Sequence, residues 1–406
     1  MAELPVGGQA VIEGVMMRSP NCLAVAVRTP KGRLLVRQRR WISLATKLKF
    51  LRWPFFRGIL VLAESLHNGI STLNFAAQVQ EQGLQELEAE KGSGVQGPGS
   101  GGEAPGVGTA GSGQWAVGSG PEAPDATAEG AGPGTADGTG SATQAGRAGG
   151  SAVRQREVEN TPSLWITLAV AIVMALALFA ALPHFLTWGL GWLFGSDDLA
   201  SGKSFLFQVV DGVIKLAIFL GYVWGISFIP DIRRVFMYHG AEHKCIYAFE
   251  KGLDLTVANA DVQTTLHPRC GTSFLLVVLL IAILVFTVVF PFIPPVSEIG
   301  ALNQAFFVLV KLFLLFPIAG VSYEIIRLAG KRPDHRLLRM LIWPGLATQR
   351  ITTRIPDSAQ LEVAMASLLT VLDAERAVAS DPTQSAEERQ AEYEDFAAFQ
   401  HGRKPV

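Results

Sequence analysis

Four long apolar stretches, at residues 163–189, 205–229, 273–293 and 305–328, decide most of what this chain can fold into. A helix needs about 20 residues to cross the hydrocarbon core of a bilayer, and each stretch supplies them. Pro183, Pro291 and Pro317 lie within or near their ends, where membrane helices tolerate them. Four such runs in succession predict a mainly α, polytopic helical membrane protein with about four transmembrane helices and the lipid bilayer as a partner. Only 17% of the residues are charged, against about a quarter in ordinary soluble domains. A net charge of −1 excludes a strongly basic nucleic-acid binder on bulk charge. Three scattered cysteines, Cys22, Cys245 and Cys270, do not make a disulfide framework.

Lysine and arginine placement predicts the orientation. Ten precede Trp53, one (Lys203) falls between the first two runs, and five lie between the second and third: Arg233, Arg234, Lys244, Lys251 and Arg269. None lies between the third and fourth runs, and seven follow between Arg327 and Arg354. This alternation fits the positive-inside pattern with both termini cytoplasmic, in a cytoplasmic (inner) membrane. The start of the chain has no basic segment leading an apolar core, so no signal peptide is expected.

The remaining organisation follows composition and periodicity. Residues 1–85 are expected to form a small N-terminal β-containing cytoplasmic segment and an amphipathic helix. Strands are predicted at 9–17, 22–28 and 33–38, the last two joined by Thr29-Pro30-Lys31-Gly32, which has hairpin-turn chemistry. Residues 53–76 are apolar but carry Arg57, Glu64, His67 and Asn68, which suits an interfacial or re-entrant helix better than a span. Residues 86–160 contain nearly half of the 42 glycines and read as a disordered Gly-rich linker. The four-span domain is placed at 161–356, an amphipathic C-terminal helix at 357–380, and a disordered tail at 381–406.

The segment 231–272 between the second and third runs carries the chemistry. His239-Gly240-Ala241-Glu242-His243 is an H-x-x-E-H pattern. On a helix, i and i+4 share a face, so both imidazoles can reach one tetrahedral ion, with Glu242 beside them as a general base. A catalytic zinc needs a third protein ligand and an open position; His267, Cys270 and Glu324 are the candidates. Adding Cys245 would instead give a closed structural site. Glu324 is an ionisable residue near the end of the fourth run, where charge is costly; pairing with Arg327 is the alternative. Asp211 and Lys215, at i and i+4 within the second run, fit a salt bridge or an ion pathway.

The segments GGQAVIEGVMMRSP (7–20), DIRRVFMYHGAEHKCIYAFE (231–250), HPRCGTSF (267–274) and TTR (352–354) together resemble the YqhQ-like family of bacterial multi-pass membrane proteins of unknown function. The resemblance implies a metal-dependent enzyme. The 88–160 stretch is a long insertion relative to that pattern, and Ile355 stands where the family usually has an acidic residue. Two readings remain open: a zinc-dependent hydrolase, and a non-enzymatic scaffold or assembly factor with a structural metal site and a membrane-protein partner. A small transporter using Asp211, Lys215 and Glu324 is a third.

Overall fold

The computed structural model describes residues 4–48, 53, 56–93, 162–268, 270–332, 335–380 and 388–403. The expected linker at 86–160 lies almost wholly outside the described residues. The one part inside belongs to a helix.

The chain begins as an antiparallel meander. Strands β1 (Gly7–Val11), β2 (Gly14–Arg18), β3 (Cys22–Arg28) and β4 (Leu34–Arg40) pair in sequence order, and a fifth strand, β5 (Arg389–Tyr393), joins the far edge against β4. The single strand expected at 9–17 is therefore two. Val11 pairs with Gly14, leaving a two-residue turn whose Glu13 sits at φ 52°. No glycine or asparagine announces that turn. It is held from outside, because the Glu13 carboxylate accepts from the Arg234 guanidinium and from the Tyr238 hydroxyl at 3.2 Å. The β3–β4 turn is the predicted one, with Gly32 at φ +81°.

Both faces of this sheet are covered. After a short helix α1 (Leu44–Lys47) comes α2 (Phe56–Ser93), whose Phe75, Ala76 and Val79 pack on Val11, Met16, Leu23, Val25, Val27 and Leu35. Its polar residues serve the same contact: Glu64 accepts from Arg18 at 3.3 Å and from the Ser43 hydroxyl at 2.8 Å, and Asn68 accepts from Arg39. A sheet-covering helix thus accounts for the mixed composition at 53–76 that suggested a membrane interface.

Among the described residues, four helices are long and apolar enough to cross a membrane: Ala169–Phe194, Phe205–Ile226, Gly271–Phe292 and Gly300–Ala329. The first comprises α3 (Pro162–Leu176), a π turn at Ala177–Ala181 and α4 (Leu182–Phe194). Pro183 cannot donate within the helix, and the π turn just before it absorbs the break. A short α5 (Asp197–Ala200) leads to α6 (Phe205–Ile226), α7 (Pro230–Glu250), α8 (Val257–Asp261), α9 (Gly271–Val289) and α10 (Gly300–Lys331).

An unforeseen helix, α11 (Arg336–Thr352), follows. It buries Ile342, Gly345 and Gln349 against the third span and leaves Leu337, Met340 and Trp343 exposed beside Arg336 and Arg339. Exposed apolar side chains flanked by arginines are the pattern of a helix suited to a membrane interface, where an apolar face is combined with a basic polar one.

The last long helix, α12 (Ser358–Ser380), lies on the other sheet face, against β2, β3 and α7. Leu361, Ala364, Leu368, Leu369 and Leu372 are buried as the periodicity suggests, but so are Val363, Met365, Ala366 and Val371. It is a core helix, not an amphipathic helix offering one face to a partner. The described part of the expected tail, 388–403, is structured: besides β5, α13 (Phe396–Gly402) packs Phe399 onto Tyr393, and Arg403 pairs with Asp373. Removing 357–406 would therefore remove 13 of the 26 buried apolar residues of the core on this sheet face. Leu368→Ala is expected to cost about 2–5 kcal/mol, the range for emptying a fully buried leucine site, read as a lowered thermal midpoint in detergent.

Candidate metal centre

Helix α7 opens with Pro230 at its first turn and Asp231 beside it, both suited to a helix start. It then presents His239 and His243 one turn apart, their ring centroids 4.5 Å from each other. The chain leaves α7, makes α8, and returns so that Cys270 caps α9, with its sulfur accepting from the Thr272 N–H at 3.4 Å. Among the described residues, His239, His243 and Cys270 bring one ligand atom each to within 4.8 Å of one another. His239 Nε2 lies 3.1 Å from Cys270 Sγ.

The far side of each imidazole is fixed. His239 Nδ1 donates to the Thr352 carbonyl at 2.9 Å, and His243 Nδ1 donates to the Thr265 carbonyl. A carbonyl only accepts, so both protons sit on Nδ1 and both Nε2 lone pairs are free to face the thiol. That is the outer-shell arrangement by which metal-binding histidines are oriented. Burial holds His243 below its ordinary pKa, keeping it neutral, as a ligand must be. Two histidines and a cysteine at this spacing fit zinc, whose tetrahedral sites take nitrogen and sulfur at about 2.0–2.3 Å. His243 and Cys270 are buried and His239 is partly exposed.

The other candidates stand around this group. His267 is buried next to it, its ring 5.5 Å from that of His243, but its Nε2 faces Glu250 at 3.3 Å. Glu242 is buried against the N-terminal sheet; a Cβ on Gly8 would lie 2.8 Å from its Cγ, and the Gly8 backbone hydrogen-bonds to it. Burial raises its pKa, opposed by His239, His267 and that hydrogen bond. Glu324 is not in the group. It receives a two-pronged ion pair from Arg57 of α2, where pairing with Arg327 was the alternative expected. Cys245 points into the core toward the Leu361 carbonyl, and burial pushes its thiol well above its usual pKa. The closed five-residue site does not form.

Residues without a sequence signal hold the centre together. Gln349 accepts from the His267 N–H at 2.7 Å and donates to the His267 carbonyl at 2.7 Å and to Ser273 Oγ at 2.6 Å. The Thr265 and Thr352 carbonyls act through backbone atoms that any residue would supply. The segments 7–20, 231–250, 267–274 and 352–354, far apart in the chain, meet at this one place.

A family model described as "Protein of unknown function (DUF1385)" matches residues 53–374. The chain is 27% identical over 376 residues to "Uncharacterized protein YqhQ" of Bacillus subtilis (strain 168), covering 90% of this chain and 92% of that one. No solved structure matches. With most of its length under the family model, the chain belongs to the DUF1385 family of proteins of unknown function.

Proposed function

We propose that the protein is a membrane metalloenzyme of the hydrolase class, with zinc held by His239, His243 and Cys270 at the cytoplasmic surface of the inner membrane. The observation that carries this reading is the convergence of three donors whose outer partners are already in place. Three protein ligands with a fourth position left for water or substrate is the pattern of catalytic zinc, whereas structural zinc is closed by four. Bound there, zinc would supply Lewis acidity.

Glu242 is the proton-handling residue of this proposal. Its carboxyl is one residue from His243 and is steadied by the Gly8 backbone. A carboxyl with a pKa raised by burial is better matched to proton transfer near neutral pH. Glu242→Gln is expected to keep zinc and lose hydrolysis by about 100-fold or more, the usual worth of a positioned acid–base group. Unchanged activity with retained zinc would favour the second reading, a structural site in a membrane scaffold. The favouring observation for that reading is how many elements the cluster ties together: α7, the return segment before α9, and the end of α11. A hydrolase screen of the reconstituted chain, run with the zinc-loaded and chelator-treated protein, separates the two.

A further inference from the structure

A second polar cluster lies inside the apolar bundle, at the other end from the histidines of α7. Asp211 of α6 faces two ammonium groups, Lys215 at 3.1 Å on its own helix and Lys311 of α10, both on Oδ2. Its Oδ1 is buried without a hydrogen-bond partner among the described residues. Lys311 donates in turn to His184 Nδ1 at 3.1 Å, His184 Nε2 meets Gln304 Oε1 at 2.8 Å, and Gln304 Nε2 donates to the Ala200 carbonyl at 3.3 Å. All five side chains are buried.

We propose that Asp211, Lys215, Lys311 and His184 form a proton-exchange site within the bundle, loaded and unloaded from the end that carries the 195–204 loop. The first reason is charge. One carboxylate faces two lysines in a low-dielectric setting, where an uncompensated charge is expensive. The excess is relieved by an anion or by loss of a proton. The surroundings disfavour the anion: the ring faces of Phe207, Phe286 and Phe290 lie within cation–π range of Lys311, at 5.3–5.6 Å, and their negative potential would repel it. Among the described residues, no other titratable side chain acts on the group; α9 contributes Phe286 beside the two lysines.

The second reason is direction. Lysine only donates, so His184 Nδ1 accepts and the ring proton sits on Nε2, facing Gln304. This is the loaded state. On release, the Nε2 proton passes to solvent water at the 195–204 loop as the Gln304 amide turns aside, while a Lys311 proton passes to Nδ1. The ring stays neutral, Lys311 becomes an amine, and Asp211–Lys215 remains as a balanced ion pair. Uptake reverses both transfers, and no electron moves. At 1.5 Å per residue, Lys215 lies about 15 Å along α6 from Phe205, near the middle of the helix, so the relay from the loop ends there. Gly202 makes the entrance compact, since a Cβ on it would meet the Gln304 side chain at 2.1 Å.

The test is a pH step applied to the full chain, reconstituted in phospholipid vesicles on a solid-supported electrode. The wild type is expected to give a transient, capacitive current with no steady component. Lys311→Met should abolish it. Gln304→Leu, which leaves every charge in place, should slow its relaxation by misorienting His184. A wild-type trace equal to that of protein-free vesicles overturns the proposal. So does a wild-type transient in both Lys311→Met and Gln304→Leu. If Lys311→Met fails to insert, Gln304→Leu alone decides: unaltered kinetics would mean that the cluster only stabilises the bundle.

Discussion

Purified in detergent, the wild-type chain is expected to carry one zinc ion, and His239→Ala combined with His243→Ala none. Zinc content by elemental analysis, normalised to protein, is the measurement. The expectation rests on donor chemistry. Each histidine has one nitrogen committed to a backbone carbonyl and the other turned to a cysteine sulfur. Removing outer-shell partners alone usually costs about 10–100-fold in affinity, so removing two ligands should exceed that range. Cys270→Ser should fall in the same class, because a neutral hydroxyl is a poor substitute for a thiolate. Glu324→Gln should leave zinc unchanged, since that carboxylate is engaged by Arg57. Loss of zinc in Glu324→Gln, or its absence from the wild type, would remove the basis of the proposed chemistry. The apo protein should stay folded: α12 and the two sheet faces form cores that do not pass through the cluster.

The four span-length helices were legible because length and apolar composition go together in such segments, and they fall on the four apolar runs with shifts at their ends. The H-x-x-E-H pair was legible for a similar reason: helical spacing alone puts His239 and His243 on one face. What could not be read is what arrives from elsewhere. Neither turn residue, Ile12 or Glu13, is one that favours a turn, and Arg234, more than 200 residues later, holds Glu13 in place. Helix α12 looked one-sided since Leu residues mark one stripe, whereas small residues such as Ala366 and Ser367 bury the other side. Cys270 rather than His267 or Glu324 meets the histidines because the return segment is pinned by Gln349. In the spans, Asp211 and Lys215 were visible as an i, i+4 pair, but Lys311 and His184 joined them only through packing between helices.

Gly240→Ala is expected to damage the metal centre as much as removal of an outer-shell partner, although glycine supplies no side chain to it. The added Cβ would sit 2.0 Å from the Arg354 carbonyl oxygen, a backbone atom that cannot rotate away. The segment after α11 crosses α7 at that point, and the Arg354 N–H donates to the Phe236 carbonyl at 2.9 Å. To admit a methyl group, 352–354 must move off the helix, which withdraws the Thr352 carbonyl from His239 Nδ1. Overpacking of this kind costs about 1–3 kcal/mol, and freeing the ring should lower zinc affinity by about 10–100-fold. Gly8→Ala makes a different demand: its Cβ would strike Glu242 and the Met16 carbonyl, both at 2.8 Å. It should therefore displace the carboxyl, keeping most of the zinc but losing activity. Gly7→Ala meets nothing within 4 Å and should behave as wild type. Zinc titration of the three variants orders them Gly240→Ala well below Gly8→Ala, with Gly7→Ala unchanged. Wild-type affinity in Gly240→Ala would mean that the contact across α7 does not set the orientation of His239.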